Sequence, residues 1–185
     1  MYEKDTKKYY ISQGDIFQNF DYVRWAELIE EKIEIDKIEI PFFVVLTQSC
    51  DLEQDFKDRN KSVNVKRDKY IQSILVCPAY FVDSVRTGKH LEAFDLIMEK
   101  YNSERWNIIK KNNNERYHFL ERNDELGLPD LVIDFKQYYT IPTHILYRLY
   151  ENHFVGSLKP LFRENISHRF AFYLSRIGLP KIKRD

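Results

Sequence analysis

Continuous apolar runs and period-two alternation dominate the first half of the chain. Asp15–Phe20 reads as a first strand, preceded by a polar and aromatic arm over residues 1–13. Lys32-Ile33-Glu34-Ile35-Asp36-Lys37-Ile38-Glu39-Ile40 alternates with period two, which predicts a strand whose polar face is solvated. Just before it, Trp25, Leu28 and Ile29 fall at helical spacing, so residues 21–31 are expected to form a short helix or loop. Pro41 begins or bends the next segment. Phe42–Thr47 and the middle of Tyr70–Tyr80 are apolar without interruption, the pattern of strands buried on both faces. Between them, Glu53 to Lys69 is charged without an apolar period and is expected to be an exposed loop.

The second half changes period. From Phe81 to Asn112, Val85, Phe94, Ile97, Met98, Tyr101, Trp106, Ile108 and Ile109 recur at helical intervals, and Gly88 divides the stretch into two or three helices. Asn112-Asn113-Asn114 closes the block. Arg116–Glu121 then reads as a strand, Asn123–Pro129 as a turn and Leu131–Ile141 as one long strand. The final element is a helix: Pro160 suits its first turn, and Phe162, Ile166, Phe170 and Leu174 recur every four residues. Gly178 and Pro180 supply its stop. That stripe is read as core-facing, not as a partner-binding face.

At 185 residues the chain is expected to be a single domain, 1–185, with 81–114 as a helical insertion. Hydrophobic residues at 43% and charged residues at 31% exclude wholesale disorder. The formal net charge is zero, so nucleic acid could be held only by a local basic patch. Cys50 and Cys77 are the only cysteines, too few for a closed zinc site, and no pair of ligand residues has metal spacing on one element. No metal and no cofactor are expected. No apolar run approaches the ~20 residues that span a bilayer, and no leader pattern is present, which points to a cytoplasmic setting without membrane contact. Walker A, Rossmann, HExxH and GxSxG patterns are all missing.

In order, Gly14-Asp15-Ile16, Phe43-Val44-Val45-Leu46 and Ile74-Leu75-Val76-Cys77-Pro78 resemble the opening strands of the MazF/PemK toxin family. Tyr117-His118-Phe119-Leu120, Gly127-Leu128, Val132-Ile133-Asp134, Gln137, Thr140-Ile141, Leu146 and a helix ending Ile177-Gly178-Leu179 extend the resemblance to roughly two thirds of the chain. It implies an α+β, mainly β fold: an SH3-like, partly open barrel with inserted helices and a C-terminal helix. It also implies a homodimer, and a metal-independent endoribonuclease or RNA-binding protein of a toxin–antitoxin or phage-defence system, with an antitoxin or other protein as partner. Typical members carry an Arg before the Pro that opens the second strand, and a Thr after the Pro that ends the third. Here Ile40 precedes Pro41, while Ala79 and Tyr80 follow Pro78. An isoleucine cannot donate a charge-assisted hydrogen bond to phosphate. The chemistry has therefore moved to other residues, or the barrel is a non-catalytic interaction or sensor module with the 81–114 insertion as its partner surface.

Candidates for a relocated site follow from chemistry. Cleavage of RNA needs a group to take the 2′-hydroxyl proton and another to protonate the leaving oxygen. Arg116 and His118, two apart on a predicted strand, would share a face and could contact one phosphate, with His118 as acid or base. The plainer alternative is a half-exposed cross-strand histidine beside a solvated arginine. Gln48-Ser49-Cys50-Asp51 lies where a buried strand opens into the charged segment, and Cys50 with Asp51 could line the same pocket as a nucleophile and its neighbour. Alternatively Cys50 fills a small gap. For single-stranded RNA, the basic residues are Lys57, Arg59, Lys61, Lys66, Arg67 and Lys69, then Arg105, Lys110, Lys111 and Arg116, with Trp106 and Tyr117 as stacking rings and Gln48 nearby. His144, His153 and His168-Arg169 are weaker candidates, read as surface residues.

Overall fold

The computed structural model describes residues 1–3, 10–61 and 68–176. Its dominant feature is an antiparallel pair of long strands, β2 (Asp15–Ile29) and β3 (Lys32–Val45), in register from Ile16↔Val44 to Ile29↔Lys32. The predicted alternation of 32–40 is therefore a strand, whereas the helix or loop expected over 21–31 is replaced by the outer half of β2. A bulge explains the misleading spacing. The register shifts between Val23 and Trp25, so Arg24 is an extra residue that moves the apolar phase by one position. Glu30 and Glu31 close the hairpin with φ of 46° and 66°, the positive values a two-residue turn between twisted strands requires.

Around this pair the sheet runs β1 (Tyr2–Glu3), β8 (Phe154–Leu158), β2, β3, β4 (Ser73–Phe81), β6 (Leu131–Asp134) and β5 (Tyr117–Leu120). β7 (Tyr139–Pro142) also pairs with β4. Every pairing is antiparallel, and the sheet curls into a half-barrel, giving an α+β architecture. The strand expected over Leu131–Ile141 is broken in two, so that β4 pairs first with β7 and then with β6. Asp134 makes the corner: its carboxylate accepts from the Lys136 amide at 3.0 Å and its carbonyl from the Gln137 amide at 3.0 Å.

The continuous apolar runs are explained by burial on both faces. Phe42, Val44, Cys77 and Ala79 point into one cluster with Ile16, Ile133 and Phe135. Phe43, Val45, Ile74 and Val76 point into another with Ile11, Phe17, Ile141 and Leu146. The inserted segment forms α2 (Val82–Thr87), a 3-10 turn (Lys89–Phe94) and α3 (Ser103–Lys110). Its Val85, Trp106 and Ile109 close a third cluster against Tyr80, Tyr117, Phe119 and Val132. Asn112 pins the end of the insertion to β5, accepting from the Phe119 amide at 2.6 Å and donating to its carbonyl at 3.1 Å.

Three further helices complete the fold. α1 (Ser49–Arg59) stands where an exposed loop was expected. Its charges are arranged as acid-then-base pairs four apart, Glu53–Lys57 and Asp55–Arg59, the order that supports a helix without an apolar stripe. α4 (Thr143–His153) was not anticipated; His144 and His153 sit at its two ends, and Leu146 anchors it in the core. α5 (Phe162–Leu174) matches the predicted C-terminal helix, though Pro160 lies ahead of its N-cap, Leu161. Ile166 and Phe170 are buried, at about 1.5–3 kcal/mol each, while Phe162 and Leu174 at the ends are largely exposed. Gly178 and Pro180 fall outside the described residues. No described helix is long and apolar enough to cross a membrane.

Candidate functional site

Arg116 and His118 are taken up by different partners. Register places Tyr117 opposite Asp134, and the Arg116 guanidinium closes on the Asp134 carboxylate through two bonds, Nε to Oδ1 at 2.7 Å and Nη2 to Oδ2 at 2.6 Å. The Asp134 side chain is wholly buried. Burial pushes its carboxyl up, but the Arg116 fork together with the His90 ring and the Lys136 amide outweighs this and holds it below the ordinary range. The guanidinium also lies over the Tyr117 ring, 4.8 Å from its centroid. The Nε and Nη2 donors and the Tyr117 ring thus hold Arg116 within the fold.

His118 has a different partner. Arg169 of α5 donates to its Nδ1 at 2.9 Å and also bonds the carbonyls of Asn114 and Tyr117. An imidazole that accepts at Nδ1 is neutral and carries its proton on Nε2. Burial, then the Arg169 cation, push its pKa down to about 3. His118 is neither the half-exposed residue of the plain alternative nor a group holding a second proton near neutral pH. Trp106 and Tyr117 are buried in the third cluster, so neither ring offers a stacking face to RNA.

Cys50 and Asp51 lie elsewhere, at the start of α1, and open onto different hollows. A concavity of about 320 Å³ is lined by Gln13, Gln48, Ser49, Cys50, Arg163, Glu164 and Ser167. No histidine lines it. Asp51 faces a separate hollow with Thr47, Gln54, Asp68, Lys69 and Ile71. The Cys50 thiol sulfur is 3.6 Å from Gln48 Oε1 and 3.7 Å from Asp51 Oδ1. Gln13 fixes the wall opposite, donating to Ser167 Oγ at 2.6 Å and to the Leu46 carbonyl. Gly14 lets α5 come this close: its φ is +82°, and a Cβ there would sit 2.8 Å from that of Arg163. Gln48, as N-cap of α1, makes no capping bond through its side chain.

The basic cluster on α1 is neutralised locally. Lys57 pairs with Glu53 at 2.5 Å, Lys61 with Asp58, and Arg59 with Asp55 while stacking on Tyr70. Lys66 and Arg67 lie outside the described residues. Lys110 and Lys111 are exposed at the end of α3. Among the described residues no three of His, Cys, Asp and Glu are grouped so as to hold a metal ion.

The insertion is fastened to the barrel. His90 is buried beside Asp134, Nε2 to Oδ2 3.8 Å, beyond hydrogen-bond reach. The Tyr117 hydroxyl reaches Met98 Sδ at 3.5 Å. The surface left uncovered is instead the outer part of the β2–β3 hairpin, an arm beyond Tyr22 and Ile38. One face carries the directly opposed pairs Val23–Lys37, Ala26–Ile35 and Leu28–Ile33; the other carries Trp25–Asp36, Glu27–Glu34 and Ile29–Lys32. Leu28 and Ile33 are each 70% exposed, Ile35 59% and Trp25 47%. Arg24 ties the arm's base to the insertion, bonding Asp36 and the Ala93 carbonyl. The sequence signal for this surface is the slip of the 32–40 alternation at Asp36-Lys37, which turns Ile33 and Ile35 away from the face that buries Ile38 and Ile40. Compared with known protein families, curated proteins and solved structures, the chain matches none.

Proposed function

We propose that the protein is a non-catalytic interaction module, an SH3-like half-barrel that presents the β2–β3 arm to a protein partner. The observation that carries this reading is the arm itself: a two-stranded ribbon whose large apolar side chains are not buried by its own barrel. Such ribbons are marginal in water unless another surface covers them. The residues suited to acid–base work support the same reading, because Arg116 is forked onto Asp134 and His118 is held neutral by burial and by Arg169. The order of barrel strands and the final helix support kinship with MazF/PemK barrels, in which a protein partner is expected. The partner surface centres on the arm and not on the 81–114 insertion, whose Val85, Leu91, Trp106 and Ile109 are buried while Leu96, Ile97 and Ile108 stay exposed.

One observation favours a second reading, RNA binding. The Cys50 concavity combines the N-terminus of α1 with the Arg163 guanidinium, donors suited to a phosphodiester. A single experiment separates the two. Purified protein is incubated with a long unstructured RNA in EDTA, and a photo-crosslinking residue is placed at Leu28 in cells. The interaction reading expects intact, unretained RNA and one discrete adduct that disappears on adding Ile33→Lys. Cleavage or retention lost in Cys50→Ser would overturn it.

A further inference from the structure

The arm has an open edge as well as an open face. β3 pairs with β4 only over Phe42–Val45, so among the described residues no strand lies beside its outer edge from Lys32 to Pro41. No other backbone hydrogen bond among the described residues reaches that edge. The segment is regular, whereas the matching edge of β2 is disturbed by the Arg24 bulge and by Asn19 at φ 54°. An extended peptide can therefore add to β3 along Lys32–Ile40.

Charge selects the occupant. Residues 21–39 carry seven acidic and three basic side chains, a net charge of −4. Asp36 is paired with Arg24 and Asp21 with Lys37. Glu27 and Glu34 stand directly opposite each other and have no ion-pair partner among the described residues, with Glu30 and Glu31 beside them at the turn. Like charges directly across a ladder are destabilising, and a second copy of the same edge would add to the repulsion. A strand with Lys or Arg on that face relieves it. The opposite face asks for apolar side chains, next to Ile33 and Ile35.

Resting on the interaction-module reading, we propose that β3 of the arm accepts, by strand addition, a partner segment alternating apolar and basic residues. The apolar side chains extend the Leu28–Ile33–Ile35 face and the basic ones lie along Glu27, Glu34 and Asp36.

The test uses the full chain and a fluorescently labelled peptide, Lys-Val-Lys-Val-Lys-Val-Lys, with a control in which the central Val is Pro. Anisotropy is expected to show saturable binding that weakens at least tenfold in Glu27→Lys/Glu34→Lys and at least tenfold for the Pro peptide. Both glutamates are exposed, and an unchanged melting temperature verifies that the variant folds. Equal binding of the Pro peptide would reduce the effect to charge alone and overturn strand addition. Undiminished binding by the double variant would place the peptide elsewhere, with the same consequence. A concentration-dependent dimer abolished by Ile33→Lys, without peptide binding, would assign the edge to a second copy: this proposal would fail while the interaction reading stood. Absence of peptide binding, dimer and Leu28 crosslink together would end both.

Discussion

A neutral, buried His118 makes stability depend on pH in a way that a catalytic, solvent-linked histidine would not. Unfolded, the imidazole titrates near ~6.5. In the fold its pKa is pushed down to about 3, first by burial and then by Arg169. Because the folded value is depressed, the full stability is present above the unfolded value and is lost as pH falls from there toward 3. Between, the unfolded chain holds one proton more than the native state, and each pH unit costs up to about 1.4 kcal/mol. At pH 4.5, two units below the unfolded value, the loss amounts to about 3 kcal/mol. His118→Asn keeps an acceptor near the Nδ1 position for Arg169 and removes the titration. Expected at pH 7.5 is a small cost from lost packing, about 1 kcal/mol. At pH 4.5 the order reverses and the variant is the more stable. Urea unfolding followed by the fluorescence of buried Trp106 reads this directly. With a slope of about 2 kcal/mol/M, the relative midpoints should move by roughly 1–2 M across the pH range. A stability difference that stays flat from pH 7.5 to 4.5 would refute the buried, neutral assignment.

Arg116→Ala leaves the wholly buried Asp134 carboxylate without its counter-charge, which should cost about 3–5 kcal/mol and lower the melting temperature by roughly 10 °C in scanning calorimetry. The loss should shrink as pH falls from neutrality, because burial without the guanidinium lifts the variant's carboxyl above its ordinary ~4 and it takes a proton there; a fall under about 2 °C at pH 7 would mean the guanidinium is free for a ligand. Glu30→Asn with Glu31→Gly should tighten the arm, since each non-glycine residue at positive φ there costs about 1–2 kcal/mol. Hydrogen exchange of the Ile29 and Lys32 amides, which face each other across the hairpin, should slow about tenfold or more, and unchanged exchange would show that the arm is not held by that turn.

How far the fold could be read depended on how many faces of an element are buried. Phe42–Val45 and Ile74–Cys77 were legible because both faces enter the core, leaving uninterrupted apolar runs. The outer half of β2 was not, because the Arg24 bulge broke its phase and Glu30-Glu31 carries none of the usual hairpin-turn residues. α1 was hidden because only Leu52 among its apolar residues is fully buried, so ion pairs four apart carry it instead. The break at Asp134 was invisible because Phe135 and Tyr139 continue the apolar pattern through the corner. The site was less legible still. Arg169 meets His118 across 51 positions, and Arg116 meets Asp134 only through a cross-strand register that spacing does not encode. Proximity of Arg116 and His118 in sequence suggested one site; each is claimed by a different element.

The contrast between interior and arm bounds how a partner must bind. Inside, charged groups such as Arg116, Asp134 and Arg169 are matched, whereas the arm leaves Leu28, Ile33 and Ile35 in water and Glu27 against Glu34. Full burial of such a side chain is worth about 1.5–3 kcal/mol, so covering the part of these three now exposed contributes on the order of 3–6 kcal/mol. Association costs about 4–15 kcal/mol in lost freedom, and the few new main-chain bonds add about 1 kcal/mol each. A strand on one face therefore binds weakly by itself. Tight binding requires both faces of the tip, adding Trp25 and Ile29, or continuation onto Leu96 and Ile97, which follow the Ala93–Phe94 contact with the arm's base and are themselves exposed. The arm is thus a specificity element whose charge chooses the partner, while affinity comes from how much of the tip that partner encloses.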